Sequence, residues 1–170
     1  MALIVETGTA SSTSEAYASV AFTDAYHEKI GNTLWAALST VEKEQALRRA
    51  TMFMGQFYRL QWKGLRVSST QALDWPRYSV QLPDLDVYNV VVPDVVPLLV
   101  QNANAELALL AIAGPLNPNL TQGVESVQVG PIKKVYDKSS PQGVRYTAIS
   151  DILRPLLESS NGMSVKLRRV

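Results

Sequence analysis

Two short stretches set aromatic rings beside cations: Gln61-Trp62-Lys63-Gly64-Leu65-Arg66 and Trp75-Pro76-Arg77-Tyr78. Rings stack on unpaired bases and cations meet phosphates, so this is the pattern of a single-strand binding platform. The competing reading has Trp62 and Trp75 pinning a long irregular segment onto the core, with the cations in solvent. It is preferred, because a stacking platform normally sits in a basic groove. Sixteen Lys and Arg against fifteen Asp and Glu, a net charge of +1, show no such excess.

Other chemistry is signalled more weakly. His27 is the single histidine, so one chain cannot supply a two-histidine metal site. Within Tyr26-His27-Glu28 it reads as a partly exposed helical residue, not a base. There is no cysteine, which removes disulfides, thiolate metal sites and a Cys nucleophile. The nine glycines fall in neither a dinucleotide nor a P-loop spacing. No Gly-x-Ser-x-Gly elbow occurs, and Ser11, Ser12, Ser14, Ser68 and Ser69 sit in loops with no neighbouring base. Asp74, Asp84 and Asp86 share one irregular segment, where turn roles are preferred to a cation site. The expectation is a protein without catalysis, holding no cofactor and no metal.

The elements that must position these residues are mostly helical. With 170 residues, 46% apolar and 18% charged, the chain can bury a core of its own. Residues 1–18 read as an extended arm in which Leu3-Ile4-Val5 could pair. Ser19 reads as the N-cap of a helix over 20–30 closed by Gly31. Ser39-Thr40-Val41-Glu42 is a capping box opening a helix to about Tyr58. Leu47, Ala50, Met54 and Phe57 form its expected buried stripe. Residues 59–92 are irregular, with a strand expected only at 87–92. A third helix is expected from a cap at Asp94, with Pro97 in its first turn, to Gly114-Pro115. Residues 124–129 and 132–136 around Gly130-Pro131 read as a β-hairpin. A short helix over 149–158, interrupted by Pro155, precedes a tail over 159–170. The fold class is therefore mainly α: a small bundle around a long apolar central helix, with a hairpin and extended ends. The domain spans 1–158.

That third helix carries two apolar rows, Val96, Leu99, Ala103, Leu107 and Leu110, and Val95, Leu98, Ala105, Leu109 and Ile112. A helix apolar nearly all round must be covered on most sides, by its own domain or by neighbouring subunits. Periodicity does not choose between them. No apolar run approaches the length of a membrane span without interruption, and no membrane partner is expected. Met1–Glu6 lacks a signal-peptide pattern, so the chain is expected to stay where it is made.

The order of features then carries a resemblance. Met1-Ala2-Leu3-Ile4-Val5-Glu6 precedes Tyr17-Ala18-Ser19-Val20-Ala21, Trp35 and Ala46-Leu47-Arg48-Arg49-Ala50-Thr51. Trp62-Lys63-Gly64, Gln71-Ala72-Leu73-Asp74-Trp75-Pro76-Arg77 and Val95-Val96-Pro97 follow. Ala105-Glu106-Leu107-Ala108-Leu109, Val129-Gly130-Pro131 and Leu153-Arg154-Pro155-Leu156-Leu157 complete the series. Over about residues 1–157 it resembles tailed-phage and prophage proteins called DnaT-like single-stranded-DNA-binding proteins, which in turn resemble head–tail adaptors. The adaptor resemblance implies a ring of twelve copies beneath a portal protein in the virion neck, assembled in the host cytoplasm. The ring would extend the DNA channel and hold tail proteins. Leu98, Asn102, Leu109, Val127, Val129, Ile132 and Val135 would then make ring contacts. Ile152, Leu153, Arg154, Leu156, Leu157, Val165, Leu167, Arg168 and Arg169 would dock on the portal. The alternative is a replication-associated single-strand binder, touching nucleic acid through Trp62, Lys63, Arg66, Trp75, Arg77, Lys133 and Lys134.

Overall fold

Both serine caps form. In the computed structural model the Ser19 hydroxyl accepts the Phe22 N–H at 3.0 Å and opens α1, Val20–Lys29. Ser39 and Glu42 close the capping box, the Glu42 carboxylate accepting the Ser39 N–H at 2.9 Å, and α3 runs Thr40–Tyr58. Between them a single turn, α2 (Thr33–Ala36), capped by Asn32, holds Trp35 in what the sequence read as a plain loop. The structure describes residues 2–82, 84, 90–118, 126–129, 132–135 and 144–158, with the strands 126–129 and 132–135 described by backbone alone.

The third helix, α4, is Leu98–Ala113, and Pro97 rather than Asp94 caps it. Pro97 is extended, at φ −57° and ψ 144°, and its carbonyl accepts the Val100 and Gln101 N–H groups. Pro97 therefore stands just outside the first turn, and residues 94–96 form a turn before it. Gly114 ends the helix as expected. Next come an antiparallel hairpin, β3 (Ser126–Val129) with β4 (Ile132–Val135), in the register Val129 to Ile132. Helix α5 (Thr147–Leu153) runs into a 3₁₀ turn at Arg154–Leu156, where Pro155 ends the α-helical pattern. A two-residue ladder absent from the sequence reading joins β1 (Leu65–Arg66) to β2 (Arg77–Tyr78). The expected strand at 87–92 lies mostly outside the described residues; Val90 makes one bridge to Gln81.

The fold is mainly helical, with α4 packed against α1, α3 and α5. Asn104, fully buried, locks the crossing. Its amide donates to Thr51 Oγ1 at 2.9 Å and its oxygen accepts the Ala18 N–H at 3.2 Å, so one side chain ties α4 to α3 and to the N-terminal segment. A buried amide with its bonds made specifies one packing, because any shift would orphan them.

Two expectations are corrected in part here. The central helix is not covered all round by its own domain: Val100, Ala103, Ala105, Leu107, Ala108 and Ala111 are buried, but Leu98 is 60% exposed and Leu110 and Ile112 are exposed too. Residues 2–18 pair at Val5 as expected, but the segment is a closed loop packed on the core and not a free arm. Val5 bridges Ala16, and the buried Glu6 carboxylate accepts the N–H groups of Gly8, Ala10 and Ser11 at 2.9–3.1 Å. The loop closes around that carboxylate and delivers Ala16, Tyr17 and Ala18 to the core. Gly8, at φ 108°, packs so closely that a Cβ would overlap the Asp94 carbonyl.

Candidate nucleic-acid interface

The sequence places its aromatic–cation signal at residues 61–78, and that segment folds inward. Trp62 and Trp75 are buried, their rings edge-to-face at 5.7 Å. Arg77 is buried beside them and clamps three carbonyls: Nε donates to Lys63 at 2.8 Å, Nη2 to Gly64 at 2.8 Å and Nη1 to Asp74 at 3.2 Å. Burial lowers its pKa, and the nearby Asp74 pulls it back. Arg66 donates to the Gln71 carbonyl. Lys63 Nζ reaches the Pro155 carbonyl at 2.7 Å and the Gln81 carbonyl at 3.3 Å. Gly64, at φ 67°, lies so close to β2 that a Cβ would overlap the Tyr78 carbonyl. The two indoles pin the segment, but the cations are not left in solvent. They satisfy carbonyls that a long segment without regular structure would leave unpaired. In this conformation neither indole offers a face to a base.

The exposed chemistry lies at the C-terminal end of α3. Phe57, expected in its buried stripe, is 45% exposed, whereas Phe53, one turn earlier, is buried with Leu47, Ala50 and Met54. The position is on the inward arc, but the helix ends one residue later, and Phe57 is left half-exposed while its neighbour Tyr58 is buried. Phe53 stacks on one face of Phe57 at 5.5 Å and 12°, while Tyr58 stands edge-on to it at 4.9 Å. Tyr146 in turn stands edge-on to Phe53 at 5.3 Å. Phe57 is thus a ring held from one side. Arg49, Arg59, Arg145 and Arg154 are exposed on the elements that build this end. Among the described residues Arg59 and Arg154 make long ion pairs, 3.8 Å to Asp74 and 3.7 Å to Asp151. Exposed Met52 and Leu60 add apolar surface.

Around the helix from Phe57 lies an open cleft of about 350 Å³. Tyr17, Met52, Gly55, Arg59, Leu73 and Asp74 line it, with the Arg48–Glu15 pair, 3.0 Å, at one end. The Asp74 side chain is only 3% exposed, and Oδ2 accepts no hydrogen bond among the described residues. Burial pushes its pKa up; Arg59 and Arg77 draw it back, as does the Trp62 indole N–H, which approaches without forming a hydrogen bond. The Tyr17 hydroxyl accepts the Asp74 N–H at 2.9 Å. Its pKa is raised, by burial first and by Asp74 second, so its proton stays on. None of Tyr17, Gly55, Phe57 and Arg59 was singled out for the site. A glycine inside a capped 19-residue helix was the one visible signal.

The residues expected at ring and portal contacts fall elsewhere. Leu98 is exposed and Asn102 and Leu109 are half-buried on α4. Val127, Val129, Ile132, Val135, Lys133 and Lys134 lie in β3 and β4, described by backbone alone. Leu153 and Leu156 are buried in the core, Ile152 and Leu157 half-buried, and Arg154 exposed. Leu157 bridges Trp62, and the Glu158 N–H donates to the Gln61 carbonyl at 2.7 Å. This end is therefore spent on the chain's own core, where α5 packs against α4. Val165, Leu167, Arg168 and Arg169 lie outside the described residues.

No curated protein and no solved structure matches the chain. One family model does, over residues 1–170, and its description names single-stranded DNA. Nothing in it points to a portal, a tail or a ring, so the expectation of a head–tail adaptor in a virion neck is corrected, together with its ring, portal and tail partners. The match backs the alternative reading instead. The chain belongs to the family described as "Putative DnaT-like ssDNA binding protein".

Proposed function

We propose that this protein binds single-stranded DNA and carries out no reaction on it, with the strand lying across the C-terminal end of α3. The observation that supports this most is Phe57. Its ring is backed by Phe53 on one face and half exposed, so a base can stack on the open side without first ordering the ring. Arg59, Arg145 and Arg154, exposed on the same end of the molecule, supply the phosphate contacts. Such contacts carry no sequence preference; they set affinity and make it fall with salt. A single ring and a few arginines suit a near-neutral protein better than a long basic groove does.

The test is an anisotropy titration with a labelled dT15 oligonucleotide across a range of salt. Binding at low salt that weakens as salt rises is expected. Phe57→Ala should weaken it by about 5- to 150-fold, matching the ~1–3 kcal/mol of one base–aromatic stack. Absence of binding at low salt would sink the proposal. An unchanged affinity in the Phe57 variant would move the strand off this surface.

A further inference from the structure

We propose that Asp74 is an internal counter-charge for Arg59: a strand phosphate draws Arg59 away from it, and the carboxylate left behind takes up a proton, so that binding tightens as pH falls. The inference rests on the single-strand reading and adds its regulation to it.

Asp74 is a buried acid among cations. Its side chain is 3% exposed, and Arg59 at the end of α3, Arg77 on β2 and Arg66 on β1 all act on it. Two of the three are committed to backbone. Arg77 holds the carbonyls of Lys63, Gly64 and Asp74, and Arg66 holds that of Gln71. Arg59 differs. It meets Asp74 Oδ1 across 3.8 Å with its own side chain 56% exposed. It is the cation that a phosphate can reach, and the one that can leave.

Burial decides what replaces it. Asp74 Oδ2 is closed to solvent, accepts no hydrogen bond among the described residues, and lies 3.9 Å from the point where a Cβ on Gly55 would stand. A hydrated salt cation has no way to that oxygen, but a proton does. A buried carboxylate that loses part of its positive surroundings holds a proton more tightly. The other groups around it do not offset the loss. The Tyr17 hydroxyl, which accepts the Asp74 N–H, keeps its own proton. The Trp62 indole N–H approaches without forming a hydrogen bond. Glu15 and Arg48, which line the same cleft, pair with each other at 3.0 Å.

A phosphate at Arg59 takes a positive charge from Asp74 and sets a negative one nearby. Both changes favour the carboxylic acid. The complex therefore binds this proton more tightly than the free protein does, and by linkage affinity rises as pH falls. Burial has already raised the Asp74 pKa above its ordinary 3.8, so the rise lies above the range in which exposed carboxylates titrate.

The experiment repeats the dT15 titration at fixed low salt from pH 8 to pH 5, on the wild type, Asp74→Asn and Arg59→Gln. The wild type is expected to bind about 5-fold tighter at pH 5 than at pH 8, as for one unit-charge contact at about 4 Å in a water-like dielectric. Asp74→Asn lacks the counter-charge at every pH. It should bind at pH 8 as tightly as the wild type does at pH 5, and show no rise. Arg59→Gln should bind more weakly, with a salt slope lower by about 0.7, and lose most of the rise. Calorimetry of the wild type in two buffers of different ionisation enthalpy, at the pH where the profile is steepest, reads the proton without a variant. Uptake on binding is expected, and release or no exchange overturns the inference. Equal affinity at pH 8 and pH 5 overturns the coupling and leaves single-strand binding standing. A rise that persists in Asp74→Asn puts the proton elsewhere and also overturns it. No binding at any pH overturns the strand and the coupling together.

Discussion

The knot of Trp62, Trp75 and Arg77 and the outer end of α3 carry the same kinds of side chain and use them in opposite ways. In the knot, aromatic and cationic groups face each other and the backbone, because the segment has little regular structure to satisfy its carbonyls. Arg77 alone satisfies three. At the end of α3 the backbone is already bonded within the helix, so Phe57, Arg59 and Met52 are free to face outward. Aromatic–cation interleaving thus marks a binding surface only where another element has met the backbone's hydrogen bonds.

The sharpest way to break this contrast is Arg77→Leu. The variant removes the donor from three carbonyls and the charge beside buried Asp74, and should lose about 3–5 kcal/mol of stability, as for a broken buried ionic site. Urea denaturation reads it as a lower midpoint at an unchanged slope. A loss within ~0.5 kcal/mol, the size of an ordinary surface substitution, would mean the knot is not structural. Phe57→Ala is the mirror experiment. Its ~1–3 kcal/mol effect should appear in oligonucleotide affinity. The melting temperature should move little, because the ring is half exposed already.

The helices were legible because their signals are local. Ser19 and Ser39 cap through bonds to residues three positions on, and no distant contact is needed to read them. Pro97 misled because a proline suits both the first turn and the position just before it; its extended ψ decides for the latter. The exposure of Leu98 and Ile112 was illegible for another reason. Periodicity reports the hydrophobicity of a face, and cover depends on where α1, α3 and α5 fall. The cleft was the least legible feature. Tyr17, Gly55 and Asp74 are far apart in sequence, and the loop closed by Glu6 brings the first to the third.

A smaller effect concerns two buried ionisable groups, His27 in α1 and Asp74 beside the knot. His27 is buried, its Nε2 donating to the Ala105 carbonyl at 3.2 Å, and burial lowers its pKa. The unfolded chain binds that proton near the ordinary value of about 6.5 and the folded one only lower. His27 therefore contributes stability that is present above about pH 6.5 and lost as pH falls below it. Asp74 has the opposite sign: its pKa is raised, so its contribution is present at low pH and lost as pH rises through the folded value. Between pH 7 and 5 the His27 contribution declines; it is opposite in sign to that of Asp74. His27→Gln keeps a donor for Ala105 and removes one slope, so its melting temperature should fall less over that range than the wild type's. A steeper fall in the variant would mean His27 is protonated in the fold.

The smallest effect separates the end of α3 from its middle. Each phosphate contact to a single strand adds about 0.7 to the slope of log affinity against log salt. Arg145 and Arg49 are both exposed, but Arg145 adjoins the Phe57 cluster through Tyr146, whereas Arg49 lies eight residues before Phe57, in the middle of α3. If the strand crosses the Phe57 end, Arg145→Ala should reduce the slope by about 0.7 and Arg49→Ala should leave it unchanged. The reverse outcome would draw the strand along the middle of the helix and away from the ring. A slope insensitive to both would assign the phosphates to other cations, Arg59 and Arg154 first. The reverse outcome breaks the comparison at its outer half while leaving the Arg77 knot untouched, because a buried guanidinium committed to three carbonyls has no phosphate to release.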